Sequence, residues 1–181
     1  MNVQADIPSL ASLEHFPYID AAGKLPHIFQ GKVGIYAIFD QQDALQYVGY
    51  SRDVFLSLKQ HLVRRPEYCY GVKVQTIDRP NRTILENTRN AWIAENGAVP
   101  IGNSDDTAIW NEPIQVEGLM TPEEQEKLAN PLLDDVMRTK AVKNVARRIE
   151  AGIMEQIKAR GVQEEIRFQP KLKEQGLLDL K

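Results

Sequence analysis

The sequence predicts an α+β fold: a small three-stranded, largely antiparallel sheet flanked by helices, with a helical C-terminal extension. Three observations carry the prediction. A β-branched and aromatic run, Val33 to Asp40, is followed after a short polar link by a second such run, and so short a link joins antiparallel strands. Apolar residues then recur at helical spacing on both sides of a third strand pattern. The 181 residues, 43% of them apolar, suffice for one core of ordinary size plus decoration.

In order along the chain, residues 1 to 32 read as a leader that packs on the domain. It forms an amphipathic turn around Leu10 to Phe16, and Pro17, Gly23, Pro26 and Gly31 break further order. Val33 to Asp40 is the first strand, Asp40 to Ala44 a polar turn, and Leu45 to Tyr50 the second strand. Ser51 or Asp53 caps a helix that runs to about Val63 and buries Val54, Phe55, Leu58 and Leu62; Pro66 stops it. Tyr70 to Asp78 alternates as a third strand. A turn at Arg79 to Arg82 leads into a helix from Thr83 to Asn96, closed by Gly97. A β-β-α-β-α unit thus spans 33 to 112. The extension, 113 to 181, turns helical at Thr121-Pro122-Glu123-Glu124, a cap with proline at the first helical position. Val142, Val145, Ile149, Ile153 and Ile157 continue the helical pattern up to Gly161, and Gly176 to Leu180 reads as a docking tail.

Composition excludes several classes. No run approaches the roughly eighteen apolar residues of a membrane span. Met1 to Asp6 lacks a basic stretch before an apolar block, and the first arginine is Arg52, so neither a secretory signal nor an Arg-rich transit peptide is expected. Cys69 stands alone, which excludes a disulfide framework and a cysteine zinc site. These features predict a cytoplasmic protein. A net charge of −3 argues against a strongly basic nucleic-acid binder. Charge is nevertheless segregated, with Glu123, Glu124, Glu126, Asp134 and Asp135 preceding Arg138, Lys140, Lys143, Arg147 and Arg148.

The strands carry a motif. Gly34-Ile35-Tyr36 lies on the first and Tyr47-Val48-Gly49 on the second, with the tyrosines eleven positions apart. A helix, a strand and a second helix bearing a glutamate follow, then a proline-to-asparagine segment. In this order the chain resembles the GIY-YIG nuclease superfamily. Tyr47 to Asp53, Pro66-Glu67-Tyr68-Cys69 and Val72-Lys73-Val74 are similar more narrowly to the GIY-YIG-like domains of cyanobacteria and chloroplasts, including the domain fused to plant monothiol glutaredoxin. The resemblance covers residues 30 to 110.

It implies hydrolysis of a nucleic-acid phosphodiester with one divalent metal, Mg²⁺ or Mn²⁺. Such chemistry needs a base, a cation for the developing charge, and acceptors for the metal. The resemblance makes Tyr36 the base or water-positioning group, Tyr47 its companion, and His61 the histidine of the first helix. Gly34 and Gly49 become the glycines of close substrate approach, Asn103 the family asparagine, and Glu86 the metal ligand, with Glu95 its rival. A turn closing on Gln41-Gln42 would place Tyr36 opposite Tyr47. The family arginine, ten positions after the second tyrosine, is Ser57 here, and Arg52 or Lys59 is the candidate substitute.

Residue chemistry alone gives blander readings: strand aromatics in a core, a solvated Arg52, and a carboxylate on an exposed helix face. His15 and His27 are packing or surface residues, Cys69 is a half-buried apolar residue, and the Lys140, Lys143, Arg147 row is a solvated or partner-binding face. Two functions therefore stand. One is a GIY-YIG-type endonuclease, weakened by Ser57, whose substrate is nucleic acid, DNA first. The other is an inactive GIY-YIG fold that binds a protein or nucleic-acid partner, with the C-terminal helix as an interaction surface.

Overall fold

The structure, a computed structural model, describes residues 6–181; the stretch Met1 to Ala5 on which part of the leader-signal reading rests lies outside them. It is α+β and forms two compact units, the first ending at Asn111 and the second running from Glu112 to Lys181.

In the first unit, strands β1 (Phe16–Pro17), β2 (Val33–Phe39), β3 (Leu45–Ser51) and β4 (Gly71–Ile77) form one antiparallel sheet in the order β1-β4-β2-β3. The three long strands are those expected from the sequence. The fourth, β1, comes from the leader and pairs Phe16 with Val72 and Pro17 with Gly71. Two residues carry no alternation, so pairing with an existing strand edge, and not local pattern, creates it.

Helix α1 (Val54–Arg64) is capped by Asp53, whose carboxylate accepts from Leu56 N at 3.2 Å. Helix α2 (Arg82–Asn96) starts one residue earlier than predicted, because the Asn81 side chain accepts from Ile84 N. It ends at Gly97, whose φ of +81° is the left-handed cap conformation. Alternation along β2 divides the core. Ile35, Ala37 and Phe39, with Val48 of β3, pack against Leu85 and Trp92 of α2. Tyr36 and Ile38 project to the opposite face, where α1 lies with Leu58 and Leu62 fully buried.

The β2–β3 turn lies on the polar stretch expected for it and fixes the register that the sequence left open. The chain turns over Asp40–Ala44, not on Gln41-Gln42: the Asp40 carboxylate accepts from Gln42 N and Ala44 N, each at 2.9 Å, and Asp43 takes a φ of +63°. With a register shift between Ile38 and Phe39, Tyr36 pairs with Gly49 and Tyr47 with Ile38. The two tyrosines are diagonal neighbours on one face and not directly opposite.

The leader is anchored by a carboxylate. Glu95 accepts from Leu10 N at 2.6 Å and Ala11 N at 3.0 Å, serving the start of the short 3-10 turn Leu10–Ser12. Glu95→Ala should therefore cost about 1 kcal/mol of local stability and accelerate amide exchange at Leu10 and Ala11, with β2 unchanged. An unaltered exchange pattern would show that Trp92 Nε1, which donates to the Pro8 carbonyl at 3.0 Å, holds the leader unaided.

Helix α3 (Thr107–Asn111) ends the first unit, and the second contains strand β5 (Ile114–Gln115), helix α4 (Pro122–Ala129), helix α5 (Asp135–Ala159), a short helix Pro170–Glu174 and strand β6 (Leu177–Leu178). Thr121 and Glu124 form a reciprocal capping box on α4. Of the predicted α5 stripe, Val145, Ile149 and Ile157 are buried, while Val142 and Ile153 are half-buried. The tail docks as predicted from its apolar run: β6 pairs antiparallel with β5, and Leu178 and Leu180 are buried. Among the described residues no helix is long and apolar enough to cross a membrane.

Candidate functional site

The face of the sheet under α1 gathers the motif residues. Tyr36 leaves β2 and Tyr47 leaves β3 on this face, their ring centroids 6.1 Å apart. His61, on the inner face of α1, brings Nε2 to 2.8 Å from the Tyr36 hydroxyl, with proton roles set by the tautomer. Its ring lies 4.6 Å from that of Tyr47. Gly49 sits beneath both hydroxyls: a Cβ there would meet Tyr47 Cε1 at 2.5 Å, Tyr47 Oη at 2.8 Å and Tyr36 Oη at 3.0 Å. Gly34 is required for a different reason, because a Cβ would lie 2.6 Å from the backbone oxygen of Gln75 on β4. Both motif glycines thus answer contacts within the chain.

A segment C-terminal to the motif residues covers this cluster. Helix α3 (Thr107–Asn111) places Trp110 parallel to Tyr47 at 5.2 Å between centroids and 5.5 Å from His61. The Tyr47 hydroxyl donates to Asn111 Oδ1 at 2.6 Å, and Arg64 Nη1 donates to the Trp110 carbonyl at 3.0 Å. Under this cover Tyr36 is 2% exposed, His61 3% and Tyr47 6%. Arg64 could have been found in the sequence, since it lies three and seven positions beyond His61 and Ser57 on one helix face. Trp110 and Asn111 carried no such signal, being placed by the chain's return over the sheet.

Electrostatics follows burial. Desolvation, and then the Tyr47 hydroxyl close by, raise the pKa of Tyr36 well above the ordinary tyrosine value, against a smaller opposing effect of Ser57. Burial also raises Tyr47, with Tyr36, Arg89, Arg64 and Asn111 opposing. Burial, and next the Arg64 guanidinium, lower His61 to about 3, so its imidazole is neutral at pH 7. A tyrosine acting as a base needs its pKa moved the other way.

The remaining predicted residues lie elsewhere or serve the scaffold. Asn103 is clamped to the β3 backbone, accepting from Val48 N and donating to Val48 O, each at 2.7 Å. Ser57, where the resemblance leads one to expect an arginine, donates to Ser51 Oγ at 2.7 Å. Arg52 is exposed, and neither it nor Lys59 bonds to the cluster. Glu86 accepts from Arg82 Nε at 2.8 Å and the Tyr50 hydroxyl at 3.2 Å. Tyr50 pairs with Ile35, so it belongs to the α2 face, opposite Tyr36. The Arg82 hydrogen bond, first among several effects, holds the Glu86 carboxyl below the usual range. Glu95 is occupied by the leader.

These donors do not fit a divalent metal beside Tyr36 and His61. The partners of the cluster are tyrosine, serine, asparagine, arginine and tryptophan groups, and hard cations take carboxylate and carbonyl oxygens. Among the described residues no three of His, Cys, Asp and Glu come together as a ligand set. Cys69 is fully buried, more so than predicted. His27 packs on Phe55 at 4.6 Å, and His15 lies 3.3 Å from Asp43.

The sequence matches none of the protein-family profiles compared with it. It is similar to a chloroplastic bifunctional monothiol glutaredoxin of Arabidopsis thaliana, with 32% identity over 137 residues. That match takes in 72% of this chain and 45% of the plant protein, so the chain spans less than half of its relative's length.

Proposed function

We propose that this chain carries a GIY-YIG-type domain whose nuclease site is closed, and that it works as a binding or assembly module. The observation that carries this reading is the sealed Tyr36–His61 pair, at 2% and 3% exposure under Trp110. A phosphodiester cannot reach a hydroxyl so covered, and the pair lacks both the family guanidinium at Ser57 and a carboxylate on its own face. The partner class comes from the relative, named as a bifunctional monothiol glutaredoxin. A domain matched to part of such a protein fits association with a monothiol glutaredoxin, in the cytoplasm. Because Cys69 is buried, that association uses surface contacts and not thiol exchange.

A second reading, the weak endonuclease, is favoured by the 2.8 Å contact between Tyr36 and His61, a distance at which a proton can pass between them once water reaches the pair and removes the burial that holds Tyr36 up and His61 down. One assay separates the two. Plasmid and single-stranded RNA are incubated with Mg²⁺ or Mn²⁺ and either the wild type or Tyr36→Phe. Neither protein is expected to cleave. Cleavage by the wild type that disappears in Tyr36→Phe would overturn the module reading and leave the nuclease in its place.

A further inference from the structure

We propose that α3 is a lid over the Tyr36–His61–Tyr47 cluster, hinged in the segment 104–106, which opens as a unit while Asn103 stays clamped to β3. The inference rests on those three residues being the site of the domain. Its grounds are independent of whether that site cleaves anything.

The attachment of α3 is concentrated in few groups. Trp110 is its one buried side chain, while Thr107, Ala108, Ile109 and Asn111 are exposed. Beyond the indole, three polar latches hold the segment down: Tyr47 to Asn111 at 2.6 Å, Arg64 to the Trp110 carbonyl at 3.0 Å, and Arg65 to Asp106 at 3.3 Å. The residues just before it are fixed by other means. Both polar atoms of the Asn103 side chain bond the Val48 backbone, and Gly102 lies against the Gln46 carbonyl, where a Cβ would approach to 2.5 Å. A boundary between a pinned stretch and a latched one therefore follows Asn103, and opening also gives up the bonds that cross it, Asp106 N to the Ile101 carbonyl at 2.9 Å and Ser104 Oγ to the Pro100 carbonyl at 3.0 Å.

Closure is also imperfect for the groups it buries. His61 Nδ1 and Trp110 Nε1 are both shut from solvent without a well-formed hydrogen bond, the Trp110 backbone giving His61 only a poorly aligned contact. Buried polar groups are nearly always well paired, so two poorly satisfied ones in one cluster mark a closed form opposed by desolvation. Opening relieves both at once and leaves the sheet and α1 in place. What the open lid uncovers is a ring of hydroxyls and one imidazole, with the face of Tyr47 free where the indole had stacked. The stacking geometry, with the two rings parallel, makes Trp110 an internal occupant of the place a planar ligand would take.

The test compares hydrogen exchange of the full chain with that of Asp106→Ala/Asn111→Ala, which cuts two latches and leaves Trp110 untouched. In the wild type, amides of 107–111 should exchange faster than those of β2 and α1. The double variant should raise their rate roughly tenfold or more with β2, β3 and α1 unchanged. If 107–111 is as protected as β2 in the wild type, or if α1 and β2 accelerate in step with it, α3 belongs to the core and the lid is overturned. Asp106→Leu with Asn111→Leu, near in shape but without the oxygens that accept from Arg65 and Tyr47, serves if the alanine variant does not fold, with the same two readings. Running the cleavage assay on the latch-cut protein keeps the two conclusions apart. Metal-dependent cleavage by it removes the module reading and supports the lid, whereas faster exchange without cleavage supports both.

Discussion

Gly34→Ala is expected to destabilise the first unit by about 3 kcal/mol or more, the upper range for forcing extra atoms into a packed interior. The new Cβ would stand 2.6 Å from the Gln75 carbonyl oxygen and 3.1 Å from Thr76 Cα, both backbone atoms of the adjacent strand. A side chain can rotate away from such a contact, but a strand in the middle of a ladder can only separate from its neighbour. Gly34 pairs with Thr76 on one side and Ser51 on the other, so displacement in either direction loosens a pairing. Gly152→Ala is the matched control. Gly152 lies inside α5, a new Cβ there meets nothing within 4 Å, and the change should stabilise by about 0.5–1 kcal/mol. Urea unfolding of the three proteins measures both effects. A Gly34→Ala protein as stable as the wild type would show that the glycine is held for something other than sheet packing, such as approach of a substrate.

Acid should act through His61. In water its imidazole takes a proton near 6.5, while in the closed form it does so only at about 3. Between those values a state with the ring in water binds more protons than the closed state, so stability of the closed form falls as pH falls. The loss begins as pH drops through 6.5 and continues to about 3, at roughly 1.4 kcal/mol per pH unit. At pH 4.5 this amounts to about 2–3 kcal/mol, and above pH 7 the group contributes no pH dependence. His61→Gln removes the titrating ring and keeps a polar group near Tyr36. The stability difference between the wild type and His61→Gln should therefore shift against the wild type between pH 7 and 4.5. A difference that stays constant across that range, or a ring signal of His61 inflecting near 6.5, would falsify the buried neutral imidazole. Because the penalty falls on the closed form, the protection of 107–111 relative to the intrinsic exchange rate at each pH should fall with acid before that of β2 does.

Much of this molecule was legible residue by residue. Val33–Phe39 and Leu45–Ser51 could be read as an antiparallel pair because β-branched alternation and a short link are local properties. Asp53 and Thr121 could be read as caps because each serves an amide within three residues of itself, whereas Asn81 read as part of a turn and caps α2 one residue early. The meeting of Tyr36, Tyr47 and His61 on one face was also implied, once strand period and helix face were combined. Tertiary structure decided what surrounds them. Trp110 is 63 positions from Tyr47, so its stacking has no local signature. The same holds for β1, a strand made by two residues that borrow the edge of β4. The side of the sheet that receives the Glu86 carboxylate, and the burial that drives Tyr36 up and His61 down, are likewise properties of packing. Sequence alone determined which chemical groups this protein owns and along which strands and helices they run. Whether water and substrate can reach those groups depended on contacts distant in sequence, because solvent exposure and dielectric are set by everything folded around a side chain.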